Sequence, residues 1–429
     1  MARRPPVAAT AHDGELLDEI EAAMAPPRSH ARFPLFDSLR GLAAISILVI
    51  HAAIFTDALG DTWDGRLLSH LDIGVPFFFL LSAFLLYRPF VAARVRSADR
   101  PAFSGYARRR FLRIAPAYWA ALTIAAIVPG MAGAFSGNWW VYYGLLQNYP
   151  VYTPSGTCAS VFGQFRCGIP TAWSLSIEVF FYALLPFFVL LMAWIGGRRR
   201  AWILPEVLVL VALSAASFAI QSHVPQTDFE RFLFFSPIGR GWWFALGLGL
   251  AAFSVWAGSR PEKRRLVAVL EDHPWLPLIG AAALYLVMSW MVLPPGTDLA
   301  FPIGDMNRYL LQYFVFGVIA LLVVLPATFG GDGPGHYRRF LRHPIPTWLG
   351  VISYGIFLWQ FPALIFLLDA GLDDWWPSLS FPVVALATFA LTIVCATVSY
   401  YGLERPLMRW GKRRFESTAP EPAVTEVSP

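Results

Sequence analysis

Ten stretches of about 20 apolar residues follow one another along this chain. Each is long enough for a helix rising 1.5 Å per residue to cross a hydrocarbon layer ~30 Å thick. They run Phe36–Phe55, Ile73–Phe90, Phe111–Ala132, Thr171–Ile195, Ile203–Ile220, Pro237–Val255, Trp275–Leu293, Leu310–Phe329, Trp348–Leu368 and Phe381–Leu403. The pattern predicts an all-α integral membrane protein of about ten transmembrane helices. With 57% apolar and only 14% charged residues, it excludes a soluble enzyme with one anchoring helix, a disordered chain, a disulfide-rich secreted scaffold and a coiled coil.

The basic residues orient the chain. Of the 33 Lys and Arg, 28 fall in or beside alternate loops on one side, and only Arg66, Arg166, Arg231, Arg240 and Arg308 fall on the other. By the positive-inside rule both termini are expected in the cytoplasm. The net charge of +5 is therefore an orientation signal, and a nucleic-acid partner is not expected. Residues 1–32 read as a polar cytoplasmic tail with no apolar core of a signal peptide. Residues 33–410 form the membrane domain, and 411–429 a disordered cytoplasmic tail. The three cysteines show no metal-ligand spacing, so no metal is expected. Cys158 and Cys167 share an outer loop, Trp139–Pro170, where they either form a disulfide or stay free thiols packed under aromatics.

An ionisable side chain is costly inside a bilayer, so each one there marks a candidate site. Of eight histidines only His51 lies deep in a span. Arg40 precedes it by eleven residues, about 16 Å along the helix axis and about 20° past three full turns, so the two share one face. Glu178, in the stretch Trp173–Tyr182, comes out about 10 Å below the outer surface, and His51 about 9 Å below it. A carboxylate that orients an imidazole is a general-base arrangement, so a His51–Glu178 contact is expected, direct or through water. Ser174, Ser176 and Tyr182 flank Glu178 and are candidate contacts for a hydroxyl substrate. The alternatives are a snorkelling Arg40, a His51 satisfied by a backbone carbonyl, and a Glu178 that only clasps helices. Arg108, Arg109, Arg110 and Arg113 crowd one helix mouth, which suits a polyanion such as a nucleotide diphosphate, although the positive-inside rule produces the same run.

In order and spacing these stretches resemble acyltransferase family 3, bacterial integral-membrane acyltransferases that modify sugars and related hydroxyl acceptors. The resemblance is carried by Arg40 to His51, Gly74 to Leu85, Arg108 to Tyr118, Trp173 to Tyr182, Ser353 to Trp359 and Glu404-Arg405-Pro406. The chain departs from the family pattern at Pro76, where an acidic residue is common, at Ala83 in place of glycine, and at Val179-Phe180 after the glutamate. Gln360 stands where a histidine often follows the leucine–tryptophan pair.

The resemblance implies an acyl-CoA donor on the cytoplasmic side, with no permanently bound cofactor, and an acceptor that is a sugar, glycan or other hydroxyl compound. It implies a multi-pass protein of the bacterial cytoplasmic membrane. His51 would serve as general base or transient acyl carrier, with Glu178 and Arg40 beside it. Arg40, with Arg108, Arg110 and Arg113, would hold the donor phosphates, and Ser174, Ser176 and Tyr182 the acceptor. Glu404 and Arg405 are expected to form a structural ion pair. Only 19 residues follow Trp410, so the fused esterase-like domain of some members is not expected. The rivals are a secondary transporter, against which the absence of a second copy of either polar stretch argues, and a module that passes acyl groups to a separate transferase.

Overall fold

The structure is a computed structural model that describes residues 33–149, 158, 166–196, 202–258, 264–291, 306–329, 335–375 and 379–416. The tail 1–32 and residues 417–429 lie outside the described residues. Twelve helices matter for the site: α1 Leu35–Phe55, α2 Gly74–Val95, α3 Phe103–Ile127, α4 Ala172–Gly196, α5 Ile203–Gln221, α6 Gly241–Gly258, α7 Trp275–Met291, α8 Met306–Thr328, α9 Pro344–Val351, α10 Ser353–Asp369, α11 Ser380–Ser399 and α12 Arg405–Glu416. Among the described residues there is no β-strand, only an isolated bridge between Ala132 and Cys167. The all-α architecture is as the apolar periods require.

Seven helical stretches, those of α1, α2, α4, α5, α6, α8 and α11, are long and apolar enough to cross a membrane. The bent pair α9–α10 makes an eighth. Two of the ten expected spans fall short. Four arginines occupy the first half of α3, and α7 has only 17 residues. α12 runs on to Glu416, into the stretch 411–429 that was expected to be a tail.

The helices that carry the polar stretches sit at the centre. α1 is buried along most of its length, while α5 and α11 present exposed leucines and valines outward. That distribution follows from solvent: in lipid an apolar outer face costs nothing, so packing is driven by close contact between small residues. Gly247 of α6 lies against the Leu80 backbone of α2, and Gly41 of α1 against Leu349 and Gly350 of α9.

The bend of 71° between α9 and α10 at Ile352 is decisive for the site. α9 docks along the start of α1, with Gly350 against Asp37, and Ser38 Oγ donates to the Leu341 carbonyl of the short helix before α9, His336–Leu341, at 2.5 Å. α10 then turns and runs beside the rest of α1. Past α11 the chain widens into a π-type turn, Tyr400–Glu404, of the kind that marks functional helices.

The outer-loop cysteines, Cys158 and Cys167, are joined in a disulfide with Cα atoms 5.8 Å apart. Arg166 beside it makes a bidentate pair with Asp369 at the end of α10, at 3.0 and 2.5 Å. Cys395 on α11 is free.

Candidate active site

Five helices meet around one internal cavity. α1 contributes Arg40; α2 contributes Val75, Phe78, Phe79 and Ser82; α3 contributes Arg110, Arg113 and Ile114. α4 contributes Ser174, Leu175, Glu178 and Tyr182, and α10 contributes Ser353, Tyr354 and Phe357. Its volume is about 60 Å³. At ~10–15 Å³ per water that is room for roughly four to six waters, or a small acyl group.

The helical period explains who faces inward. On α3, Tyr106, Arg110 and Arg113 recur at i, i+4 and i+7 and share one stripe. Arg108 is two residues from Arg110, about 200° around the helix, and is not among the cavity residues. Of the four arginines expected at the donor, Arg40, Arg110 and Arg113 line the cavity and Arg108 does not. Arg110 lies over the Tyr182 ring, 5.6 Å from its centroid. Asp37 and Glu404 lie within electrostatic range of Arg40 and Arg113. Among the described residues, however, no hydrogen bond or ion pair to a carboxylate engages Arg40, Arg110 or Arg113. Each guanidinium carries five N–H donors. Their donor capacity is turned to the cavity unspent.

Glu178 is held by hydroxyls. Ser82 Oγ and Tyr182 OH both donate to its Oε1. Tyr106 OH in turn donates to the Tyr182 carbonyl at 3.2 Å, tying α3 to α4. Ser174 lines the cavity and donates to the Thr171 carbonyl at 3.1 Å. Ser176 does not line it; its hydroxyl donates to the Leu145 carbonyl at 2.5 Å and fastens the outer loop to α4.

The expected direct His51–Glu178 contact is not formed. His51 Nδ1 faces Gln360 Oε1 of α10 at 3.4 Å, and its ring meets Phe361 edge-on at 5.5 Å. A depth counted along two separate helices says nothing about azimuth: His51 meets Gln360 of α10, while Glu178 is held by Ser82 of α2 and Tyr182 of its own helix. Arg40 and His51 do share the α10-facing side of α1, as their spacing requires. Glu404 accepts from Ser399 Oγ at 3.3 Å and lies near Arg113.

Two cavity residues were not legible as site residues. Ser82 is a lone hydroxyl in the apolar run Phe77–Leu86, which was its available signal. Ser353, at the α9–α10 bend, has a hydroxyl with no hydrogen-bond partner among the described residues. Away from the cavity, Arg240, counted on the outer side, is buried with Trp173, Phe234, Phe235, Trp243 and Tyr313 around its guanidinium at 5.0–5.9 Å.

Comparison with known proteins places this geometry. The family described as an acyltransferase domain matches residues 34–401, which include every cavity residue and His51. The chain belongs to acyltransferase family 3. This acyltransferase is 25% identical over 434 residues to the acyltransferase MdmB of Streptomyces mycarofaciens, covering 94% of the chain and 98% of that protein. It is 25% identical over 398 residues to the peptidoglycan O-acetyltransferase OatA of Listeria monocytogenes, covering 88% of the chain and 56% of that protein. The O-acetyltransferase OatA of Staphylococcus aureus is 23% identical over 402 residues, with 89% and 58% covered. The acyltransferase thus spans nearly all of the first relative and a little over half the length of the other two. No solved structure matches it. Its many apolar helices and its family make it a multi-pass membrane acyltransferase.

Proposed function

We propose that the chain moves an acyl group, an acetyl group first among candidates, from acyl-CoA to a hydroxyl of a sugar or glycan-type acceptor. The observation that carries this reading is the convergence of Arg40, Arg110 and Arg113 on one cavity with their N–H donors unspent. A buried Arg40 beside half-buried Arg110 and Arg113, all with idle donors, calls for an anionic ligand, since each unmet donor in a low-dielectric site is costly. Guanidinium forks match phosphate oxygens. The cavity accommodates a phosphate or a short acyl thioester, so the bulk of a nucleotide donor stays at its mouth.

His51 is the base on this reading. Its nitrogen takes the proton of the acceptor hydroxyl as that oxygen attacks the thioester carbon, and the C–S bond breaks to release CoA. Glu178, loaded by Ser82 and Tyr182, organises the cavity beside Arg110 rather than orienting His51. The relatives whose names specify an acceptor act on peptidoglycan, which supports a glycan acceptor here. The proposal includes ten spans with cytoplasmic termini, α3 and α7 completing the eight apolar ones, and the bacterial cytoplasmic membrane as the location. That orientation rests on the 28 to 5 division of basic residues.

The test is the purified protein in nanodiscs with acetyl-CoA and a panel of peptidoglycan fragments, sugars and alcohols, reading release of the CoA thiol. Acceptor-dependent turnover in the wild type, lost in His51→Ala and Arg40→Ala, is expected. No turnover with any donor and acceptor, or full turnover in His51→Ala, would sink the reading.

A further inference from the structure

Gln360 lies on the stripe of α10 that carries Ser353 and Phe357 to the cavity, one turn beyond Phe357. Its side chain is buried and meets two groups. The amide nitrogen donates to the Phe357 carbonyl at 3.4 Å, and Oε1 faces His51 Nδ1 at 3.4 Å. An amide nitrogen only donates and a carbonyl only accepts. Turning the amide over would set its oxygen against the Phe357 carbonyl, two acceptors with no proton between them. The amide oxygen therefore faces the imidazole, and the ring nitrogen that meets it must carry the proton. In the neutral ring the lone pair is then on Nε2. Among the described residues Nε2 has no hydrogen-bond partner, and it is not sealed from open space. Phe361, edge-on to the ring, limits its rotation.

We infer that Gln360 is a positioning residue whose amide carbonyl holds His51 in the Nδ1–H tautomer and so leaves Nε2 as the base. The inference rests on the reading of His51 given above. During transfer the acceptor O–H bond breaks as the Nε2–H bond forms, the freed oxygen bonds the acyl carbon, and the C–S electron pair leaves on the CoA sulfur. The imidazolium formed at that moment points Nδ1–H at the amide oxygen, a dipole already aimed at the new charge. The proton then passes from Nε2 to the thiolate. A wrong tautomer presents N–H where a lone pair is needed, and holding the ring is worth about 100-fold in rate.

Two measurements on the full-length protein in nanodiscs test this. In 1H–15N spectra of [15N]histidine-labelled protein at neutral pH, the His51 signals are assigned by their loss in His51→Ala. Protonated Nδ1 with bare Nε2 is expected, and protonated Nε2 would overturn the proposal. In CoA-release assays with acetyl-CoA and the most active acceptor of the panel, Gln360→Met should lower kcat about 100-fold with the acetyl-CoA KM unchanged. Gln360→Glu, which restores an acceptor oxygen, should recover most of that loss. An undiminished Gln360→Met, or a Gln360→Glu as slow as it, would show that the carbonyl does not matter. Full turnover in His51→Ala would end the base reading and this proposal with it. A dead His51→Ala beside a normal Gln360→Met would overturn this proposal alone.

Discussion

The backbone of Gly350 lies directly against the carbonyl of Asp37, with no room for a side chain between them. This contact seats α9 on the first turns of α1 and so sets where the bend delivers Ser353 and Tyr354. Gly350→Ala is expected to destabilise the protein by about 3 kcal/mol or more, since the methyl group meets backbone, which has nowhere to move. Thermal unfolding in detergent and monodisperse yield check this; a variant as stable as wild type would show that α9 shifts freely.

The arginine stripe on α3 brings Arg110 and Arg113 to the cavity and leaves Arg108 off it, so on the proposed function only the first two meet the donor. Loss of a charged hydrogen bond costs about 1.5–3 kcal/mol, so Arg110→Ala and Arg113→Ala should each raise the acetyl-CoA KM by roughly 10–100-fold. Arg108→Ala should stay within about twofold, because its side chain leaves the helix about 200° away from Arg110. Equal effects at all three positions would point to a diffuse basic surface instead of a built site.

Ser82 and Ser176 should part in the same way. Ser82 loads the Glu178 carboxylate in the cavity, so Ser82→Ala should lower kcat/KM by about tenfold, one hydrogen bond to a charged group. Ser176 fastens Leu145 of the outer loop, so Ser176→Ala should cost about 1 kcal/mol of stability and leave turnover per folded molecule unchanged. Steady-state kinetics normalised to folded protein distinguish the two.

The Cys158–Cys167 disulfide closes a short loop with a sequence separation of nine. Thiol labelling under denaturing, non-reducing conditions should modify Cys395 alone, and all three cysteines after reduction. Cys158→Ser should lower stability by roughly 2–4 kcal/mol. Three reactive thiols without reductant would refute the bridge.

How the helices meet was only partly legible. The lengths and periods of the apolar runs follow from local chemistry, so helix positions came out within a few residues at most boundaries. Glu178 was found because a carboxylate in an apolar run is conspicuous, and its depth followed from counting. Tyr182, one turn along the same helix, was legible beside it, but Ser82 was not, because it reaches Glu178 only when α2 and α4 are packed at one rotation. Gln360 was visible as a departure from the family pattern, yet its role depends on α1 and α10 running side by side.

From its residues alone this chain is a helical membrane protein, with the basic residues dividing its loops and Arg40 and His51 aligned on one face of α1. Those properties are set by side-chain transfer energies and by the pitch of the helix, both local. The tertiary structure decided that Arg40 joins Arg110, Arg113 and Glu178 at one cavity while His51 turns to Gln360. That choice is a matter of which helix faces touch, fixed by close backbone contacts at Gly41, Gly247 and Gly350 and by the bend at Ile352.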